Sequence, residues 1–242
     1  MSMTFNAIAT FSDCYKQNRK MPNGFPEGII VHSTGANNPA LKRYVNAPDI
    51  CGVNPNKNYF GGENSDDVTP HGVIGKDKDG MVRAAQILPY DLCCWGCGTG
   101  KNGSYNYKPA YIQFEIAEDA LTDKTYFEQA FELMAKVCAE LIGQFPTIKL
   151  ENVISHKEAS ARGYASNHGD PENWLSKFGK DMDWFRDKVK GYINTPNAAP
   201  VPDESGTLYR VQIGAFRNRQ NAENYLKEAK SKGFDGFIFK AG

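Results

Sequence analysis

The segment YIQFEIAED, residues 111–119, constrains the fold most. Tyr111, Gln113 and Glu115 alternate with Ile112, Phe114 and Ile116, the period of two that sends successive side chains to opposite faces of a strand. Immediately afterwards Thr122 or Asp123 offers an N-cap. Tyr126, Ala130, Leu133, Met134, Val137 and Leu141 then recur at helical spacing until Pro146, which stops a helix because it has no N–H to donate. A strand feeding directly into a long amphipathic helix predicts an α/β fold, a sheet core covered by helices.

Other segments extend that sheet. GIIVHST (28–34) reads as a short buried strand ending in polar residues, and NVIS (152–155) as another. Between Val68 and Pro89, HGVIG and MVRAAQIL flank a KDKDG turn, a hairpin signal. A further helix is predicted around MDWFRDKVKGY. The expected architecture is a mixed central β-sheet flanked by helices. From Ile193 to Gly206, NTPNAAPVPDESG has three prolines and no hydrophobic period, the composition of a linker. Beyond it LYRVQIGAF, NAENYLKEAKSKG and FDGFIF predict one β-α-β unit, with Ala222, Tyr225, Leu226 and Ala229 on one helix face and Gly233 as C-cap. Such a unit is small for independent stability. The expected divisions are 1–192, a linker at 193–206 and a tail at 207–242.

Lys and Arg together number 28, as do Asp and Glu, so the net charge is zero. Nucleic-acid and anionic-membrane partners usually require a basic excess, so neither is expected to dominate. No apolar run approaches a membrane span, and the N-terminus lacks the apolar region of a signal peptide; synthesis in the cytoplasm is expected. In that compartment six cysteines are expected to be free thiols.

Polar residues of interest concentrate in SHKEASARGYASNHGDPENW, residues 155–174, which holds two of the four histidines. His32 and His156 each follow an apolar strand, where a histidine serves either as a hydrogen-bonded structural residue or as a ligand. With a carboxylate they would form the nitrogen and oxygen ligand set of a catalytic zinc, which keeps a fourth position open. Asp170, framed by Gly169 and Pro171, suits the third place better than the unframed Glu158. HExxH is absent, so a thermolysin-like protease is not supported. Glu115 is a candidate general base if its face of the strand is not solvent. CWGC (94–97) mimics a redox pair without the helix start such a site needs, and WGCGTGKN fails the P-loop pattern because Trp95 stands at the first required glycine. That stretch is expected to be a flexible loop.

GIIVHSTGANNP, HGVIGKDKDGMVRAAQILP, YIQFEIAED and SHKEASARGYASNHGDPENW occur in an order that resembles the type-2 N-acetylmuramoyl-L-alanine amidases, which include phage endolysins, bacterial autolysins and peptidoglycan recognition proteins. The resemblance covers about residues 25 to 190. It implies one zinc ion per catalytic domain and cleavage of the amide between N-acetylmuramic acid and L-alanine. Carried over, the ligands fall on His32, His156 and Asp170, and the catalytic glutamate on Glu115. Many relatives place an oxyanion-stabilising lysine two residues before the third ligand, where this chain has His168. That histidine can donate the same hydrogen bond, or can itself be the third ligand. Trp95-Gly96 replaces a Trp-His pair of many relatives and bears on the substrate groove, and His71 matches a cleft position, so Trp95 and His71 are expected to touch substrate. Glu158 and Glu172 are left as loop and helix-cap carboxylates.

The tail resembles half of a SPOR domain, a module that binds glycan strands stripped of peptides. The implied partner is bacterial peptidoglycan, reached after release from the cytoplasm, and a half module is expected either to pair with a second copy as a homodimer or to reflect a truncated chain. A peptidoglycan receptor without activity, or a zinc peptidase acting on the stem peptide, are the competing functions.

Overall fold

The computed structural model describes residues 3–62, 64, 68–194, 218–231 and 238. The chain divides into two compact units, Met1–Pro196 and Asn197–Gly242.

The first unit is built on a six-stranded sheet. In chain order its strands are β1 (Thr4–Asn6), β2 (Gly28–Ser33), β3 (Gly72–Lys76), β4 (Val82–Gln86), β5 (Tyr111–Ile116) and β6 (Val153–Ser155). They lie in the order β1-β4-β3-β5-β2-β6, parallel except for the β3–β4 hairpin. The helices of this unit are α1 (Asp13–Gln17), α2 (Pro48–Cys51), α3 (Lys124–Gln144), α4 (His156–Ala161), α5 (Glu172–Lys177) and α6 (Met182–Asn194). The expected mixed sheet flanked by helices is therefore the observed fold. β1 had no counterpart in the sequence reading, because three residues are too few to establish a period.

β5 is central and buried along its whole length. Its Ile112, Phe114 and Ile116 join Ile29 and Val31 of β2 in the larger core, against Tyr126, Phe127, Phe131 and Met134 of α3. Gly72 of β3 makes that packing possible: a Cβ there would stand 2.2 Å from the Phe114 ring. α3 starts at Asp123, whose carboxylate accepts from the Tyr126 N–H at 3.0 Å, an N-cap interaction. It ends before Phe145-Pro146, since the residue before proline is driven out of the α region. Trp174 of α5 is fully buried against Phe131 and Phe127, with ring centroids 5.3 and 5.6 Å apart.

The opposite face, by strand alternation, carries Ile30 and His32 of β2 and Tyr111, Gln113 and Glu115 of β5. Here two smaller clusters flank the polar residues: Ile30, Tyr105, Tyr111 and Ile154 on one side, and Leu41, Tyr44, Val73 and Ala117 on the other.

Three expectations change. The stretch at 94–106 is no flexible loop: the Asn106 side chain ties it together, accepting from the N–H groups of Gly96 and Cys97 at 3.0 and 3.3 Å. Glu158 is not a loop carboxylate but the third residue of α4, closing a capping box with Ser155. α6 runs through Asn194, so Ile193 and Asn194 are helical rather than linker. The cysteines among the described residues are free, and none of the described helices is long and apolar enough to cross a membrane.

In the second unit one helix is described, α7 (Arg219–Ser231). Asn218 accepts from the Gln220 N–H at 2.8 Å, which satisfies one of the first-turn donors. The two strands expected beside this helix, the Gly233 cap and the remainder of the linker lie outside the described residues.

Candidate metal centre

β2 and β6 are parallel neighbours, so their C-terminal ends lie on the same edge of the sheet. β2 delivers His32 there, and β6 ends at Ser155, which caps α4 and sets His156 as its first residue. Asp170 arrives from the segment that α5 anchors through Trp174. Its Oδ2 also accepts from the Ser33 N–H at 3.3 Å.

The three side chains converge. His32 Nδ1 is 3.1 Å from His156 Nδ1 and 3.2 Å from Asp170 Oδ2, and His156 Nδ1 is 3.4 Å from Asp170 Oδ1. Both histidines are buried. Their outward nitrogens are engaged elsewhere: His32 Nε2 with Gln113 Oε1 at 3.1 Å, and His156 Nε2 with Ser166 Oγ at 3.3 Å. With bonds of 2.0–2.1 Å, two donors of a tetrahedral zinc lie about 3.3 Å apart. The observed spacings fit that ion, and the donor set is two imidazoles and one carboxylate, leaving a position for water.

The charges suit cation binding. Burial raises the Asp170 carboxyl, but the hydrogen bond from His32 and the two imidazoles outweigh it and hold Asp170 below its usual range. Burial and the neighbouring His32 push His156 down to about 4, so it is neutral near pH 7. Burial also acts to lower His32, yet its hydrogen bond to Asp170 and the nearby Glu115 raise it overall.

Glu115 is only 8% exposed and stands opposite His32 in the β2–β5 register. Burial, opposed by His32 and reinforced by Asp170 and Glu118, raises its carboxyl to about 7. Its Oε2 is buried with no hydrogen-bond partner among the described residues. A structural carboxylate would be expected to have one, and a perturbed, unsatisfied acid beside a candidate metal cluster is a candidate reactive group.

His168 lies at the rim: its side chain is 62% exposed, it stacks on His156 with centroids 4.6 Å apart, and its Nδ1 is 3.8 Å from Asp170 Oδ1. Trp95 is 36% exposed beside Tyr107, with ring centroids 6.1 Å apart. His71 does not line a cleft. It is fully buried, its Nε2 donates to the Leu92 carbonyl at 2.9 Å, and its Nδ1 accepts from the Gln113 N–H at 3.0 Å. It therefore clamps β5 beneath the site instead of touching a substrate.

Gln113, Asn106, Ser166 and Glu118 also belong to this neighbourhood, although no sequence motif singles them out. Glu118 is buried between the Ser33 hydroxyl and the Asn173 amide, tying β2 to α5. Gln113 had a signal, a polar residue on the same strand face as Glu115. Ser166 had none.

Residues 21–173 match the model of the Amidase_2 family, described as N-acetylmuramoyl-L-alanine amidase. The chain belongs to this family. Residues 178–240 match the SPOR domain, a span that begins well before the expected tail and includes α6. The N-acetylmuramoyl-L-alanine amidase CwlM of Bacillus licheniformis is 30% identical over 77 residues, 31% of this chain and 28% of that protein. The match thus spans little more than a quarter of that relative's length. Among solved structures, the Staphylococcus aureus hydrolase AmiA in complex with its ligand has a TM-score of 0.56 at 19% identity, covering 78% of this chain and 82% of that one. The PlyG catalytic domain has a TM-score of 0.54 at 24% identity, with 83% and 99% covered. At these identities the likeness is one of fold, and the amidase-family fold is the one described above.

Proposed function

We propose that this chain is a zinc-dependent N-acetylmuramoyl-L-alanine amidase that cleaves the bond between N-acetylmuramic acid and L-alanine in bacterial peptidoglycan. The observation that carries the proposal is the convergence of His32, His156 and Asp170 beside the buried, unpartnered carboxylate of Glu115. Family membership supplies the substrate class.

His32, His156 and Asp170 would hold the ion. Zinc supplies Lewis acidity there, lowering the pKa of water toward about 7 and polarising a carbonyl. Glu115 takes a proton from the attacking water and delivers it to the leaving alanine nitrogen. A carboxyl raised to about 7 suits both halves of that transfer, because acid and base forms are both populated near neutral pH. His168, exposed at the rim where a substrate can reach it, donates a hydrogen bond to the oxygen that gains charge. Asp170, kept ionised, and His156, kept neutral, need no change of protonation to bind a cation. Trp95 offers an exposed ring for the substrate groove. The match to the SPOR domain supports recruitment to glycan strands, and with it action on the cell wall after release from the cell that makes the protein.

Digestion of purified cell wall followed by mass spectrometry tests the reading. The expected products are muramic acid with a free lactyl carboxyl and peptides beginning at L-alanine. Cuts within the stem peptide would make the chain a peptidase, and intact wall with the protein bound would make it a receptor.

A further inference from the structure

The stretch at 94–106, neither a redox pair nor a P-loop, touches both outward histidine nitrogens through two intermediaries. We propose that Gln113 and Ser166, held by this loop, are positioning residues that lock His32 and His156 as Nε2–H tautomers and so present Nδ1 of each ring as the metal-binding atom. The identity of the ion rests on the proposed function; the hydrogen bonds at Nε2 do not.

The His32 arm follows from groups that can act in only one sense. Main-chain N–H groups only donate, so the Asn106 atom facing Gly96 N and Cys97 N at 3.0 and 3.3 Å is its oxygen. Carbonyls only accept, so the Asn106 nitrogen faces Gly98 O at 3.0 Å. The Asn106 amide is thus fixed from both ends. Gln113 approaches that oxygen at 2.8 Å and must present its NH2 group, since the flipped amide would set two oxygens against each other. Its own oxygen is then turned to His32 Nε2 at 3.1 Å, and Nε2 must carry the proton. His71 fixes the Gln113 backbone in turn, donating its N–H to Gln113 O at 2.8 Å and accepting the Gln113 N–H.

The His156 arm is shorter. Ser166 Oγ donates its one hydrogen to Cys97 O at 3.1 Å and so accepts from His156 Nε2 at 3.3 Å.

Two glycines leave room for these side chains. A Cβ at Gly96 would lie 2.6 Å from Gln113 Oε1, and one at Gly98 would lie 2.7 Å from Ser166 Oγ. A metal takes the nitrogen without a proton, and the hydrogen bond made by the other nitrogen decides which one that is.

With four histidines in the chain, nitrogen-15 NMR of the zinc-loaded protein reads directly which nitrogen of each ring carries the proton and which the metal. In metal-free protein the Asp170 carboxylate can only accept and so favours a proton on His32 Nδ1, a proton the metal replaces. The expected result with zinc is Nε2–H and metal on Nδ1 for His32 and His156. Gln113→Leu should weaken zinc binding about 10- to 100-fold in chelator competition, and Ser166→Ala should do the same. Metal on Nε2 of either ring in the wild-type protein overturns the proposal. So does a folded Gln113→Leu variant, checked by thermal unfolding, with unchanged zinc affinity. If Gln113→Leu does not fold, the wild-type ring states decide. A protein that binds no zinc, yet keeps the His32 and His156 Nε2 protons protected from exchange, would refute the zinc reading and leave the relay standing.

Discussion

His32 and Glu115 stand opposite each other across the parallel β2–β5 ladder, a candidate ligand ring and a buried carboxylate oxygen without a hydrogen-bond partner, fixed by one strand register. Because both sit on central strands, their separation is set by sheet geometry rather than by loops. A slip of one residue would turn Glu115 into the apolar face against α3.

The Glu115 carboxyl has a stability consequence. Raised from 4.5 to about 7 by burial, it keeps its proton in the folded chain at pH values where the unfolded chain has released it. Its contribution is therefore fully favourable below about 4.5 and is lost as pH rises through about 7, amounting to ~3 kcal/mol at 1.36 kcal/mol per pH unit. In metal-free protein, Glu115→Gln should raise the melting temperature at pH 8 and change it little at pH 4. The same variant should bind zinc and lose wall lysis. Calorimetry at the two pH values, with a lysis assay, checks both.

His168→Ala should lower turnover about 10²–10³-fold, the usual cost of one oxyanion donor, while zinc affinity stays at the wild-type level. Steady-state kinetics beside chelator competition separate the roles. A variant that loses zinc would identify His168 as a ligand.

Trp174 is the peg that holds the Asp170 segment to the core, fully buried among the aromatic rings of α3. Trp174→Ala should cost about 3–5 kcal/mol and weaken zinc binding, because Asp170 lies in the segment leading into α5. Denaturant unfolding and zinc titration of the same preparation measure the two effects.

His71 is held near pKa 4 by burial, below its ordinary 6.5, so it stays neutral when folded. Its stability contribution is present above 6.5 and is lost as pH falls from 6.5 toward 4. His71→Gln offers an acceptor for the Gln113 N–H and a donor for Leu92 O without a titrating ring. The variant should resist acid better than wild type between those pH values and keep its activity. Acid unfolding curves and wall digestion check this, and a large rise in KM would restore His71 to the substrate groove.

The α/β class was legible because β5 and α3 are long enough to show their periods. The separate strand ends bearing His32 and His156 could be proposed as one site only on the assumption that those ends share a sheet edge; the parallel β2–β6 pairing supplies that edge. Glu115 could not be told from a solvent-facing glutamate until β5 proved central. Gln113, Asn106 and Ser166 escaped notice because their roles come from hydrogen bonds between segments far apart in sequence, which no spacing rule encodes. His71 was misjudged for a related reason: a hairpin position does not reveal which face a strand buries. α4 was hidden because its six residues fall within a stretch dominated by polar side chains.

Zinc reconstitution links the ion to the chemistry in a single experiment. Zinc is titrated into stripped protein, and bound metal and muramoyl-alanine amide turnover are measured in the same samples. Turnover should rise with bound zinc and saturate at one ion per chain. Full turnover in stripped protein, or saturation with zinc without turnover, would contradict a zinc-dependent amidase.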